Sequence, residues 1–401
     1  MKFNQLGLTA ELVTAIESQG YTEPTDIQAK VIPQVLNGKD ILACSPTGSG
    51  KTLAFGAGIL NTCTKWGGIQ ALILTPTREL ALQVTTTLQK CAQPLSIHIT
   101  ELTGGVDLAT QRQEIRSAHI IVGTPGRILD HLTTKSLSLT KLQYLVLDEA
   151  DRMLEAGFNK EVHAILKACP TKRQTLLFSA TLSKESKQIA KKYMHTPFHI
   201  KTETNVNPDQ LYHTYYDVTH EQKFPLIVHL LKKTKGIVMI FCNTRRTVDR
   251  LTMNLNYYGL KSLAIHAGLE QVQRNEHLET FHKREISIFV CSNVAARGLD
   301  ILNVSHVYNY DMPQTSTEYI HRVGRTARAG KNGTAISFVS SGEHGELRLI
   351  GREATIKIEK QRLPRLIPLK NTIDFRSVVP LFRRGQGTKN KKGHETRNRR
   401  K

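Results

Sequence analysis

Residues 45–52 read Ser-Pro-Thr-Gly-Ser-Gly-Lys-Thr and follow the apolar run Ile41–Ala43. A glycine-rich turn between a strand and a helix aims backbone N–H groups at phosphate oxygens, and the helix N-terminus adds positive potential. Lys51 has the reach for β and γ phosphates, and the Thr52 hydroxyl suits magnesium. Ser45, Pro46, Thr47, Gly48, Ser49, Gly50, Lys51 and Thr52 are therefore candidate nucleotide ligands, although Ser45 stands where the usual phosphate-loop pattern has Gly.

A second apolar run, Tyr144–Leu147, ends in Asp148-Glu149-Ala150-Asp151. Carboxylates at the C-terminal end of a parallel strand face the same crevice as a phosphate loop. There Asp148 suits magnesium, and Glu149 suits orienting and deprotonating an attacking water. Further on, His321, Arg325 and Arg328 fall at i, i+4 and i+7, so a helix puts them on one face. Two arginines so placed make either a surface salt-bridge row or an anion contact.

These groups need a rigid frame. Short apolar runs alternate with helical patterns: Ile41–Ala43, Ala71–Leu74, Ile97–Glu101, His119–Val122, Tyr144–Leu147 and Thr175–Phe178. Continuous Val/Ile/Leu runs suit strands buried on both faces of a parallel sheet. Between them lie stretches such as Leu8–Gln19, where Leu8, Leu12 and Ile16 share one helix face. The pattern pauses near Lys201–Gln210 and restarts with His213–Val218, Ile237–Phe241, Ser262–Ile265, Ile288–Val290, His306–Asn309 and Ala335–Val339. The expected fold is α/β with two similar domains. We set them at residues 1–203 and 211–363, with a linker at 204–210 and a basic tail at 364–401.

Composition narrows the partner. The 401 residues carry 55 Lys+Arg against 34 Asp+Glu, a formal charge of +21 that favours a polyanion. Residues 383–401 alone hold nine basic side chains and one acid, too polar to bury a core, so this end of the tail is expected to be disordered. The longest apolar runs, such as Gly236–Cys242, are too short for a membrane span, and the N-terminal stretch has no secretory apolar core. Six scattered cysteines without a C-x-x-C pair read as reduced thiols of a cytoplasmic protein rather than as a zinc site or disulfide framework.

Over residues 1–345 the chain resembles the DEAD-box RNA helicases, motif by motif. The resemblance implies two tandem RecA-like domains, parallel sheets flanked by helices, and RNA-stimulated hydrolysis of ATP with Mg2+. It makes RNA the expected partner, mostly without sequence preference, with no DNA and no membrane. Phe3 and the run Gly20–Gln28 match the adenine-reading motif, in which Gln28 bonds the base edge and Phe3 packs near it. Pro76-Thr77-Arg78, Gly104-Gly105 and Thr124-Pro125-Gly126-Arg127 match first-domain RNA contacts, and Thr244, Gly268, Arg274 and Ser292 match those of the second. Asp300 matches the ribose contact. Asp151, Ser179, Thr181, Arg297 and His321 match residues that couple hydrolysis to RNA work, while Arg325 and Arg328 match arginine fingers.

Two departures stand out. Cys291-Ser292-Asn293 replaces the usual Ala-Thr-Asp, so Asn293 loses a charge expected to face Ser179–Thr181. Ala327 replaces the commoner Gly between the finger arginines. The resemblance implies local unwinding of short duplexes or remodelling of RNA–protein complexes; an RNA clamp without productive unwinding and a DNA-translocating helicase are the alternatives.

Overall fold

The computed structural model describes residues 1–369 except 47, 182, 203–210, 294–303, 328–331, 355 and 368. The first half begins with α1 (Ala10–Ser18), α2 (Asp26–Leu36), β1 (Ile41–Cys44), α3 (Lys51–Thr62), β2 (Ala71–Leu74) and α4 (Arg78–Ala92). It continues through β3 (Ile99–Leu102), α5 (Leu108–Ile115), β4 (Ile120–Gly123), α6 (Pro125–Thr133), β5 (Tyr144–Leu147) and α7 (Ala150–Glu155). It closes with α8 (Asn159–Ala168), β6 (Gln174–Ser179), α9 (Lys184–Tyr193) and β7 (Phe198–Lys201).

The second half begins with β8 (Leu211–Asp217), α10 (His220–Leu231), β9 (Ile237–Cys242), α11 (Arg245–Tyr257), β10 (Ser262–Ile265) and α12 (Gln271–His282). After β11 (Ile288–Ser292) and β12 (Val304–Asn309) come α13 (Ser316–Val323), β13 (Gly333–Val339), α14 (His344–Glu353) and β14 (Glu359–Gln361). The linker expected at 204–210 and residues 370–401 of the tail lie outside the described residues.

Each half builds one seven-stranded parallel sheet, ordered β3-β4-β2-β5-β6-β1-β7 and β10-β11-β9-β12-β13-β8-β14. The continuous apolar runs are explained by helices on both faces. Leu42, Leu72, Leu145 and Leu177 point into one core, and Ile41, Ile73, Val146 and Phe178 into the other. Fully burying such a side chain contributes roughly 1.5–3 kcal/mol. Two strands escaped the pattern because they are polar edge strands. Phe198-His199-Ile200-Lys201 buries only Ile200, and Glu359-Lys360-Gln361 buries none of its residues. Leu363, Leu366 and Leu369 then pack on the second sheet's core, so part of the segment assigned to the tail lies against the fold.

Parallel register sets the active edge. Cys44 lies opposite Ser179, and Leu74 opposite Leu147. The turns after β1, β5 and β6 therefore emerge side by side at the carboxyl ends of their strands, the usual place for a ligand crevice.

Candidate active site

The phosphate loop is folded over its own lysine. Lys51, 7% exposed, donates from Nζ to Pro46 O at 2.8 Å and Ser45 O at 3.2 Å. Ser49 Oγ donates to Pro46 O at 2.8 Å, and Ser45 Oγ donates to Ser49 Oγ at 2.7 Å. Gly50 caps α3 at φ +92, where a Cβ would stand 2.5 Å from Gln28 Nε2. Only glycine holds that turn without strain. Thr52 is the second residue of α3 and is half-buried, whereas Thr47 lies outside the described residues.

Gln28 is 3% exposed and clamps this loop. Its Oε1 accepts from Thr25 N at 2.9 Å, and its Nε2 donates to Gly50 O at 3.1 Å. Thr25 Oγ1 adds a bond to Ser49 O at 2.9 Å. Phe3 is fully buried in the core with residues of α1 and α2.

Asp148 and Glu149 follow β5 and are 2% and 4% exposed. Glu149 takes a left-handed conformation, φ 50 and ψ 49, as the N-cap of α7. A non-glycine residue held there stores strain, as functional positions often do. Burial pushes the Asp148 carboxyl up to about 6, against the pull of Lys51. Burial would raise Glu149 too, but the charges of Arg152, Lys51 and Arg325 hold it below the ordinary carboxylate range. Arg152 Nη1 meets Glu149 Oε2 at 2.7 Å, with both side chains buried. Burial pushes the Lys51 ammonium down, opposed by Asp148 and Glu149.

Asp151 is the hub of the neighbouring turn. Its Oδ2 accepts from Thr181 N at 2.8 Å and Thr181 Oγ1 at 2.9 Å, while its backbone N–H donates to Ser179 Oγ at 3.3 Å. From the other half of the chain, His321 Nε2 approaches Asp151 Oδ2 to 3.8 Å. Arg325 is 2% exposed and close enough for its charge to act on Glu149. A small cavity there is lined by Arg152, Asn293, Glu318, His321, Arg322 and Arg325. Residues from both halves thus meet around the acidic turn. Arg297, Asp300 and Arg328 lie outside the described residues.

The residues matched to RNA contacts sit on turns after β2, β3, β4, β9 and β10 or in the first turn of the helix that follows, at the end of β11, and, for Arg274, on α12. Pro76 is buried, while Arg78, Gly105, Thr244 and Gly268 are exposed. Thr77 caps α4, Thr124 precedes α6 with Pro125 at its first position, and Gly126 is open enough that a Cβ would touch nothing. The Arg78 guanidinium lies on Gly104 and Gly105, where added Cβ atoms would approach it to 2.7 and 2.6 Å. Arg127 Nη1 donates to Val106 O at 2.7 Å. Ser292 is buried, and Arg274 pairs with Glu79 of the first half, Nε to Oε1 3.0 Å.

Two expectations are corrected. The helix α13 ends at Val323, capped by Gly324, so Arg325 lies in the turn beyond it and does not share a helix face with His321. The second concerns Asn293. Among the described residues Asn293 makes no hydrogen bond to Ser179–Thr181, where Asp151 already takes both Thr181 donors; its Nδ2 donates to Glu318 Oε1. Glu318 also holds the buried Arg322, Nη2 to Oε1 2.8 Å, and Arg322 reaches Asn243 Oδ1 at 2.8 Å and Asp311 O at 2.6 Å. Ala327 sits at φ 54, the left-handed region that the family's glycine would occupy without strain. Sequence reasoning passed over Arg152 and Glu318, and it placed Glu79 only within the Pro76–Leu80 run matched to RNA contacts, not as the partner of Arg274. Only Arg152 carried a local signal, its spacing three residues after Glu149.

Two all-parallel seven-stranded sheets meeting around buried ionic groups place the chain among tandem RecA-like proteins. The DEAD/DEAH box helicase model matches residues 25–189, and the helicase conserved C-terminal domain model matches 222–330. The chain is 42% identical over 368 residues to the DEAD-box ATP-dependent RNA helicase CshA of Bacillus cereus, covering 91% of this chain and 70% of that protein. It is 41% identical over 361 residues to a probable ATP-dependent RNA helicase of Methanocaldococcus jannaschii, 90% of this chain and 98% of that one. Among solved structures, Saccharomyces cerevisiae Dbp5 bound to RNA and ADP BeF3 overlays with a TM-score of 0.82 at 31% identity, covering 96% and 99% of the two chains. A DEAD box protein from Methanococcus jannaschii overlays at 0.55 with 40% identity, covering 90% and 99%. The chain belongs to the DEAD-box family of ATP-dependent RNA helicases.

Proposed function

We propose that ATP and single-stranded RNA bind across the cleft between the two sheets, each favouring its closure, and that hydrolysis couples closure to local separation of short duplexes. The observation that carries this is the meeting of the two halves around the acidic turn. Arg325 acts on Glu149, His321 approaches Asp151, and Arg274 pairs with Glu79. The overlays support it as well. The relative with more identity overlays less well than RNA-bound Dbp5, so domain placement rather than sequence distance fits the difference.

In this reading Lys51 leaves the Ser45 and Pro46 carbonyls for the β and γ phosphates, and the loop's N–H groups follow. Gln28, already at the loop, turns its amide to the adenine edge. Glu149, ionised at neutral pH, orients the attacking water and receives its proton. Arg325 and Arg328 stabilise charge on the transferring phosphoryl group. Arg78, Arg127, Thr244, Gly268 and the neighbouring N–H groups hold phosphates and sugars rather than base edges, and preference for RNA would come from its 2′-hydroxyls.

Asp148 and Thr52 offer oxygen donors suited to magnesium, and burial of Asp148 beside one lysine leaves it ready for a cation. Among the described residues no group of three His, Cys, Asp or Glu side chains converges, so most ligands of the ion would be phosphate and water. When bound, the ion neutralises charge on the phosphate oxygens. Six free thiols suit a reducing cytoplasm.

The test is Glu149→Gln in two assays. ATP binding should persist while RNA-stimulated turnover falls by about 10²-fold or more, since an amide accepts no proton. On a short tailed duplex the parent should separate strands with ATP and the variant should not. Turnover of the variant within threefold of the parent would refute the role of Glu149. Parent protein that hydrolyses ATP yet separates no strands would refute unwinding and favour the clamp.

A further inference from the structure

Gln111 on α5 is 1% exposed and uses its whole amide. Its Oε1 accepts from Arg127 Nη1 at 2.7 Å and from His131 Nε2 at 3.0 Å; its Nε2 donates to Thr103 O at 3.1 Å. Because a guanidinium only donates, the atom facing it must be the amide oxygen, and His131 must carry its proton on Nε2. The other ring nitrogen, Nδ1, then accepts from Ser136 Oγ at 2.8 Å. His131 is fully buried, and burial favours its neutral form. A buried amide with every atom bonded admits one arrangement, whereas an apolar residue of the same size would fill the space without fixing anything.

The bonds join two loops that are separate in sequence. Thr103 and Val106 flank Gly104-Gly105, and Arg127 and His131 lie on α6. Arg127 spends Nη1 on Val106 and Gln111, and its Nε lies 3.7 Å from Asp130. Among the described residues its Nη2 has no protein partner, which leaves that end of the fork for a phosphate.

We propose that Gln111 is a positioning residue for RNA binding. It fixes the Arg127 guanidinium so that Nη2 faces the strand, and it locks the Gly104-Gly105 loop to α6, with His131 setting the rotamer of Gln111. The inference rests on Arg127 contacting RNA, as proposed above.

The test compares Gln111→Met, Gln111→Glu and Arg127→Ala, with the Gln111→Met/Arg127→Ala double variant, in RNA titrations of ATPase activity. Glutamate keeps the acceptor for Arg127 and His131 but turns its second oxygen, an acceptor, toward Thr103 O in place of the donor; methionine loses all three bonds. Gln111→Met should raise half-saturating RNA by about five- to tenfold, the scale of one ordinary hydrogen bond, with kcat at saturating RNA within twofold. Gln111→Glu should stay within about threefold of the parent. In the Arg127→Ala background, Gln111→Met should add less than twofold, because its effect passes through Arg127. Half-saturation unchanged in Gln111→Met while Arg127→Ala weakens binding overturns the proposal alone. Arg127→Ala without effect overturns the RNA role of Arg127 and the proposal together. Equal losses in Gln111→Met and Gln111→Glu, tracking a fall in melting temperature, would show a packing role and also overturn it.

Discussion

Replacing Arg152 with methionine tests whether the acidic turn is held by its own ion pair. Arg152 and Glu149 meet at 2.7 Å with side chains 1% and 5% exposed, so neither charge is solvated. Removing one partner of such a pair costs about 3–5 kcal/mol, because the other stays buried and unpaired. Here Lys51 and Arg325 also lower the Glu149 carboxyl, which brings the expected loss to the low end, about 3 kcal/mol. For a domain of this size that is a fall of roughly 6–12 °C in melting temperature. The Glu149→Gln/Arg152→Met double variant removes both charges and should recover about 2 kcal/mol, giving a coupling that neither single variant reports. Arg152→Lys keeps a charge but loses the planar fork and should fall between. Urea denaturation of the parent, Glu149→Gln, Arg152→Met and the double variant gives the cycle. Arg152→Met within 1 kcal/mol of the parent, or a double variant no more stable than the single, would refute the argument that the pair, and not packing alone, holds Glu149 in place.

Asn293→Asp should destabilise the second sheet by about 2–4 kcal/mol at pH 7.5, since it exchanges a donor to Glu318 for a second carboxylate beside a single buried arginine. Glu318→Gln in that background should restore most of it, and urea melts that leave Asn293→Asp unchanged would contradict the contact. Ala327→Gly should raise stability by about 1 kcal/mol by relieving a left-handed alanine, readable as a higher denaturation midpoint at unchanged slope. His213 gives a pH signature. Its ring accepts or donates at Tyr319 Oη, 2.8 Å away, and burial pushes its pKa down from 6.5 to about 4. The unfolded chain then binds the extra proton between those values, so this contribution is complete above pH 6.5 and is lost as pH falls toward 4. At about 1.4 kcal/mol per pKa unit the ceiling is about 3 kcal/mol, and partial solvent access of the ring trims it to about 2. His213→Gln should flatten stability against pH by that amount, and equal pH slopes for parent and variant would rule the histidine out.

What the sequence displays depends on how far apart the partners lie. The twelve runs became strands, and in central strands such as β2, β4, β5 and β6 burial of every position writes itself into consecutive apolar residues. The polar edge strands Phe198–Lys201 and Glu359–Gln361 bury too little to leave that mark. The phosphate loop is equally legible, since one turn supplies all its donors. Arg152 was within reach of the same logic, three residues from Glu149 on α7. Arg274 was not. As bare sequence it is one basic residue on a helix, and its bond to Glu79 exists only because two sheets are apposed. Asn293 shows how such a gap misleads. A lost charge next to the coupling motif suggested a partner at Ser179–Thr181, yet Asp151 on α7 takes both Thr181 donors, and Asn293 bonds Glu318 in its own half of the chain. Motif reading therefore locates the chemistry along the strand ends, and the competition among neighbours for each donor decides which pairs form there. That competition is the reason the double-variant cycles, rather than single substitutions, are the measurements that discriminate.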